Sequence, residues 1–179
     1  NLSNQTNTPL WLGEFGENPN EWWARVIDLV ESKGIGWHWW TYTKYNTNTT
    51  IASVLITKNY QIIRDYWSGK IPKPGQDVCV SGLMEMAEGL LLENCEIRRG
   101  VISSLLEKSY RKESRPFKNH VIPGEIAFAD YDLGALGVSY MDYDYMRTGV
   151  GDQTSGGNSG WSYRNDGVDI ERSTDTTLI

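Results

Sequence analysis

Pro9-Leu10-Trp11-Leu12-Gly13-Glu14-Phe15-Gly16, followed one helix later by Ile35-Gly36-Trp37-His38-Trp39-Trp40-Thr41-Tyr42, sets the reading of the first third of this chain. Both are short apolar runs, and the first closes on an acid. Between them Asn18-Pro19-Asn20 marks a helix start, with Asn18 as cap and Pro19 in the first turn. Residues 20 to 33 then run as a helix with Trp23, Ile27 and Val30 on one face, stopping at Gly34. The second strand occupies 35 to 42. A polar stretch from Tyr45 to Thr50 leads into another amphipathic helix, roughly Ile51 to Trp67, which ends at Ser68-Gly69. Strand, helix, strand, helix is the alternation of a parallel sheet wrapped by helices.

By the two-residue period, Leu10, Leu12 and Glu14 share one side of the first strand, and Trp11, Gly13 and Phe15 the other. The same parity groups Gly36, His38, Trp40 and Tyr42. In a parallel α/β barrel the loops beyond the strand ends form the mouth, so Glu14 is a catalytic candidate with Trp40 beside it. Cleaving a glycosidic bond with retention takes two carboxyl groups about 5 to 5.5 Å apart. Glu14 supplies one. Glu17 is the nearest other acid but lies three residues on, in the loop, and Asp28, Glu31 and Asp65 fall on helices, where solvated faces or intrahelical pairs account for them. No residue of the chain makes a convincing general acid. His38, alone in an aromatic strand, reads as a hydrogen-bonded core residue rather than a base. The glycines from Gly149 to Gly157 lack a following helix and a Lys, so they read as turns and not as a phosphate loop.

Lys70-Ile71-Pro72-Lys73-Pro74-Gly75 reads as a boundary, since its prolines deny helix and strand donors alike. Between Val78 and Arg111 the pattern is helical again, with Leu83, Met86, Ala87, Leu90 and Leu91, then Val101, Ile102, Leu105 and Leu106, suggesting a helical pair that serves packing. From Val121 the pieces become short, aromatic and β-branched, separated by Gly, Asn and Asp, with too few strands before Ile179 for two packed sheets.

The 179 residues carry a net charge of -6 and 39% hydrophobic residues, which argues against a nucleic-acid partner and leaves neutral polysaccharides open. Eight Trp and ten Tyr against three Phe favour surfaces that combine an apolar face with a polar edge, as sugar rings want. Trp22, Trp23 and Trp67, on helical patterns, are assigned to packing. Cys79 and Cys95 could pair in an oxidising compartment but, sixteen positions apart and each near a helix, read as ordinary buried thiols; no metal-ligand spacing is present, and no apolar run is long enough to span a bilayer.

The run from Trp11 to Gly16, with Gly36 to Tyr42 after it, resembles the last two strands of a glycoside hydrolase family 5 barrel, the clan that includes many endo-β-1,4-glucanases. The resemblance covers residues 9 to 69. It implies that Glu14 is the nucleophile at the end of strand seven and Trp40 the aromatic platform after strand eight. The Lys that commonly follows Trp-Thr-Tyr is replaced by Thr43, with Lys44 next. The family's general acid belongs to an Asn-Glu pair on strand four, which has no counterpart here.

A second resemblance runs from His120-Val121-Ile122-Pro123-Gly124 through Asp130-Tyr131-Asp132-Leu133-Gly134 to the stretch from Tyr163 to Glu171. It is similar to the opening strands of a carbohydrate-binding module of family 6, a β-sandwich often attached to such hydrolases. The acidic pair usual in its first strand, associated with a structural calcium, is replaced by Ala127 and Ala129. A barrel joined to a binding module holds an enzyme on an insoluble polymer by raising its effective concentration.

The expected architecture is therefore α/β then β: residues 1–70 the C-terminal part of a (β/α)8 TIM barrel, its last two strands and helices; 71–119 a linker with a helical pair; 120–179 an incomplete β-sandwich. The expected function is that of a secreted or extracytoplasmic retaining endo-β-1,4-glucanase fragment acting on β-glucan polysaccharide. Glu14 is its nucleophile and Trp40 binds substrate, with no cofactor, metal, nucleic acid, membrane or obligate protein partner. On its own the fragment is expected to be inactive and poorly stable. The alternative is a non-catalytic glycan-binding protein that uses exposed aromatics such as Trp40, Trp161 and Tyr163.

Overall fold

The computed structural model of the chain describes residues 2–16, 18–142, 163–166 and 168. In chain order its regular elements are α1 (Leu2–Thr6), β1 (Trp11–Phe15), α2 (Asn20–Ser32), β2 (Gly36–Trp39), β3 (Thr43–Tyr45), β4 (Ala52–Val54), α3 (Lys58–Trp67), α4 (Gln76–Gly89), β5 (Glu96–Ile97) and α5 (Arg99–Leu106). Two compact units result, one of Asn1–Trp40 with Arg99–Ile179 and the other of Thr41–Arg98.

In the first unit β1 and β2 pair in parallel, joined by α2. Paired residues of a parallel sheet point to the same face, and the register matches Leu12 with Trp37 but Phe15 with Trp39, with an irregularity between. The extra residue on β1 breaks the strict alternation expected from the sequence. Phe15 joins the face of Trp37 and Trp39, whereas Trp11 lies on the opposite face, beside Gly36 and edge-on to the His38 ring at 6.3 Å. The Phe15 side is the buried one. Trp23 of α2 is fully buried and meets the Trp39 ring edge-on at 5.2 Å, and Phe15 packs against the Trp37 ring at 5.8 Å. Ala24 of α2 shares a buried cluster with Tyr110 and Ala135, and α5 lies against the same helix.

Both ends of α2 are held, by different means. At the C-terminus Gly34 takes a φ of +65°, its N–H donates to Glu31 at 3.0 Å, and the Ile35 N–H donates to Val30 at 2.9 Å. That closes the helix in a Schellman turn. At the N-terminus Asn18 does not act as the cap. Its side chain turns back to the Gly16 carbonyl at 2.7 Å, and the Asn20 N–H donates to the carbonyl of Asn165 at 3.2 Å.

The second unit departs further from the sequence reading. The strand expected over 35 to 42 ends at Trp39, and β3 begins a separate three-stranded sheet, parallel to β4, which is antiparallel to β5. The helix expected from Ile51 begins only at Lys58, where the Thr57 hydroxyl caps it by accepting from the Tyr60 N–H at 3.3 Å. Ala52, Ser53 and Val54 form instead a wholly buried strand. A short apolar run with no turn of its own fits either period, and here pairing on both edges decides it. The expected helical pair is divided: α4 packs against α3, while α5 packs against α2. Gly82 of α4 lets the helices close, for a Cβ there would lie 2.7 Å from Ile63 Cδ1 and 2.9 Å from the Asn59 backbone.

Beyond α5, the described residues up to Asp142 form a 3-10 turn at Phe128–Asp130 and two isolated bridges, Arg115 with Leu133 and Leu136 with Tyr140, rather than the run of strands expected from Val121. No helix among the described residues is long and apolar enough to cross a membrane.

Candidate functional site

Glu14 sits one residue before the end of β1, within the irregular stretch between Leu12 and Phe15, and its side chain is exposed. No hydrogen bond or ion pair reaches it among the described residues. Trp40 follows the last residue of β2 and is 46% exposed. The Trp40 N–H donates to the Phe15 carbonyl at 2.8 Å. Gly16 presses against the same residue: a Cβ at position 16 would lie 1.8 Å from the Trp40 carbonyl oxygen. A carboxylate and an indole, both open to solvent, thus sit at the carboxyl ends of adjacent parallel strands. Such a pair can present a nucleophile beside a flat apolar surface.

The other acids weighed from the sequence have partners of their own. Asp28 pairs with Arg111 at 2.8 Å, Glu31 accepts from the Trp37 indole at 3.3 Å, and Asp65 accepts from Gln61 one helical turn earlier at 2.9 Å. Glu17 lies outside the described residues, as do Trp161, the turns expected from Gly149 to Gly157, and the stretch from Asp169 to Glu171. His38 is exposed rather than in the core. Of the three tryptophans assigned to packing only Trp23 is buried; Trp22 and Trp67 are 41% and 63% exposed. A groove of about 140 Å³ between α2 and α5 is lined by Ala24, Ile27, Trp37 and Leu105, with the Asp28–Arg111 pair at its rim; neither Glu14 nor Trp40 contributes to it.

A second cluster in this unit joins two stretches far apart in sequence. Arg164 is 4% exposed, its guanidinium held between the rings of Tyr131 and Phe117 at 3.6 and 4.3 Å. It donates to Asp166 at 2.6 Å and to the carbonyls of Ala129 at 3.0 Å, Asp132 at 3.2 Å and Tyr131. The Tyr163 hydroxyl donates to Asp130 and accepts from Lys118, whose ammonium also reaches Asp130 at 3.0 Å. His120 approaches the same carboxylate at 3.7 Å. Burial opposes ionisation of Asp130 most strongly, but the hydrogen bonds from Tyr163 and Lys118, with the charges of Lys118 and His120, together outweigh it and hold the carboxyl below its ordinary value. Lys118 is raised in turn, first by Tyr163 and then by Asp130. Tyr163 is therefore a half-buried hydrogen-bonding residue and not an open stacking platform.

Sequence reasoning placed Asp130, Arg164 and Asn165 in a resemblance without giving them a role, and passed over Lys118. Their only local signal is polar residues interleaved with aromatics, which solvated turns show equally. Among the described residues no group of three His, Cys, Asp or Glu side chains is placed to hold a metal ion. The chain matches no protein-family model, no curated protein and no solved structure.

Proposed function

We propose that residues 9 to 69 are the last two strand-helix units of a retaining endo-β-1,4-glucanase barrel, with Glu14 as nucleophile and Trp40 as platform, and that residues 120 to 179 begin a carbohydrate-binding β-sandwich. The observation that supports this reading is the Trp40 N–H bond to Phe15, which aligns the ends of two parallel strands with an exposed carboxylate on one and an exposed indole on the other. In this reading Glu14 attacks the anomeric carbon, the bond to the leaving sugar oxygen breaks, and that oxygen takes a proton from a carboxylic acid outside these 179 residues. Water then attacks the same carbon, gives its proton back to that acid, releases the sugar and returns the Glu14 carboxylate. A polymer that does not cross membranes places the protein outside the cytoplasm.

Because the acid is not supplied here, the chain should leave carboxymethylcellulose intact yet react with 2,4-dinitrophenyl 2-deoxy-2-fluoro-β-cellobioside, whose phenolate departs without protonation. Intact-mass measurement should show one fluorocellobiosyl group on the peptide containing Glu14, lost in Glu14→Gln. No adduct on the unaltered chain, or an adduct that survives Glu14→Gln, overturns the assignment. The half-exposed Trp40 also suits a non-catalytic glycan binder. Cellulose pull-down lost in Trp40→Ala, with no labelling at Glu14, selects that second reading.

A further inference from the structure

The loop that follows Glu14 is tied to a segment almost at the other end of the chain. We infer that Asn165 is a positioning residue, which holds Asn18 and Asn20 and, through the Asn18 bond to Gly16, keeps Trp40 alongside the Glu14 strand end; the catalytic consequence rests on the reading of Glu14 just given.

A continuous chain of contacts carries the inference. The Asn165 carbonyl accepts from the Asn20 N–H at 3.2 Å, and its side-chain amide donates to the Asn18 carbonyl at 3.0 Å and to Asn20 Oδ1 at 2.9 Å. The Asn18 side chain in turn donates to the Gly16 carbonyl at 2.7 Å. Gly16 abuts the Trp40 carbonyl, and the Trp40 N–H is bonded to Phe15, the neighbour of Glu14.

Two features make Asn165 more than a surface contact. It is 5% exposed and Asn20 equally so, and a buried hydrogen bond left unmade costs more than one never formed. It also supplies what α2 lacks, since the N-cap residue is Pro19 and no side chain caps the helix. An orphan N–H at a helix start needs a partner, and here the partner lies 145 residues away. Asn165 is itself pinned through its neighbours, because Arg164 is clasped between two rings and bonded to Asp166. The segment is thus a fixed anchor for the loop.

Hydrogen exchange of the full chain, read by mass spectrometry, tests the anchor without any activity. In Asn165→Ala the amides of Gly16, Asn18, residues 20–23 and Trp40 should exchange about tenfold faster, as expected for losing one or two buried hydrogen bonds, while α5 keeps its protection. Unchanged exchange at those amides, or equal loosening of α5, overturns the inference. A second arm follows labelling by the activated fluorocellobioside: the labelling rate at low concentration should fall in Asn165→Ala, with the half-saturating concentration raised because Trp40 is the platform. If the unaltered chain is never labelled but exchange responds as described, the anchor stands and the nucleophile assignment falls. If labelling occurs and Asn165→Ala reacts at the unaltered rate, the positioning role is wrong.

Discussion

The Gly16 Cα lies so close to the Trp40 carbonyl that a Cβ at position 16 would sit 1.8 Å from its oxygen, while the Trp40 N–H is fixed to Phe15 at 2.8 Å. The backbone of Trp40 is therefore held at both its N–H and its carbonyl. Neither the oxygen nor the strand can move aside without breaking the pairing that aligns β1 with β2. Gly16→Ala should lower the stability of the unit by about 3 kcal/mol, the upper range for overpacking. Gly13→Ala is the control, since a Cβ there meets only the Trp11 ring at 3.8 Å, an ordinary contact. Paired thermal melts check this, and equal melting temperatures for the two variants would contradict it.

The Asp130 cluster predicts a pH dependence with a definite sign. A carboxyl held below its ordinary value contributes stability that is present above its unfolded pKa and lost as pH falls through the folded one. Lys118 is raised, so its share is present below its unfolded pKa and lost as pH rises through the folded value. Both shares are therefore in place between about pH 4 and pH 10, the unfolded values of Asp and Lys. Asp130→Asn should cost about 2 kcal/mol at pH 7, the scale of a hydrogen bond to a charged group. Melting curves of the two proteins should converge below about pH 4. A gap that widens in acid would refute the assignment.

Arg164 is the residue for which charge alone will not suffice. Its planar guanidinium lies 3.6 Å from the centre of the Tyr131 ring and bonds three backbone carbonyls and Asp166. Lysine keeps the charge but neither the plane nor the fork of donors. Arg164→Lys should be nearly as harmful as Arg164→Ala, each by about 3 kcal/mol, because Asp166 is left buried with only the Tyr131 hydroxyl and without its charged partner in place. Urea titration of both variants measures it, and full retention of stability by lysine would show the stacking to be idle.

In the second unit α4 turns its glycine inward and its larger apolar residues outward. Gly82 is buried against Ile63 and Asn59, whereas Met84 is 58% exposed. Gly82→Ala should destabilise by about 1 to 3 kcal/mol despite its gain in helix propensity, since the Asn59 backbone cannot yield as a side chain does. Met84→Ala should change stability by less than about 0.5 kcal/mol. Denaturant unfolding ranks the two, and the opposite order would mean that α3 and α4 do not pack through Gly82.

The two cysteines offer a direct chemical count. Cys79 and Cys95 are both free and half-buried, with Cys95 Sγ directed at the carbonyls of Leu91 and Gly89 at 3.4 and 3.5 Å. Thiol titration in denaturant without reductant should give two per chain; none would indicate a disulfide.

The amino-acid sequence by itself determined those features that depend on neighbours a few positions away. The first strand, the parallel pairing of β1 with β2, and the span and C-terminal stop of α2 at Gly34 follow from apolar runs, a glycine that tolerates positive φ, and the strand-helix-strand order. What depends on pairing and burial was not legible. The irregular register that moves Phe15 to the face of Trp39, the strand at Ala52–Val54 where a helix was expected, and the exposure of Trp22 and Trp67 were each settled by contacts that local periodicity does not encode. Asn165 shows the limit most plainly. As a residue in a polar turn it carries no signal, and it becomes the cap of α2 only because the folded chain brings its carbonyl to an N–H 145 residues away, out of reach of water. A buried donor must find a partner, but nothing in the sequence near either end says which one it will be.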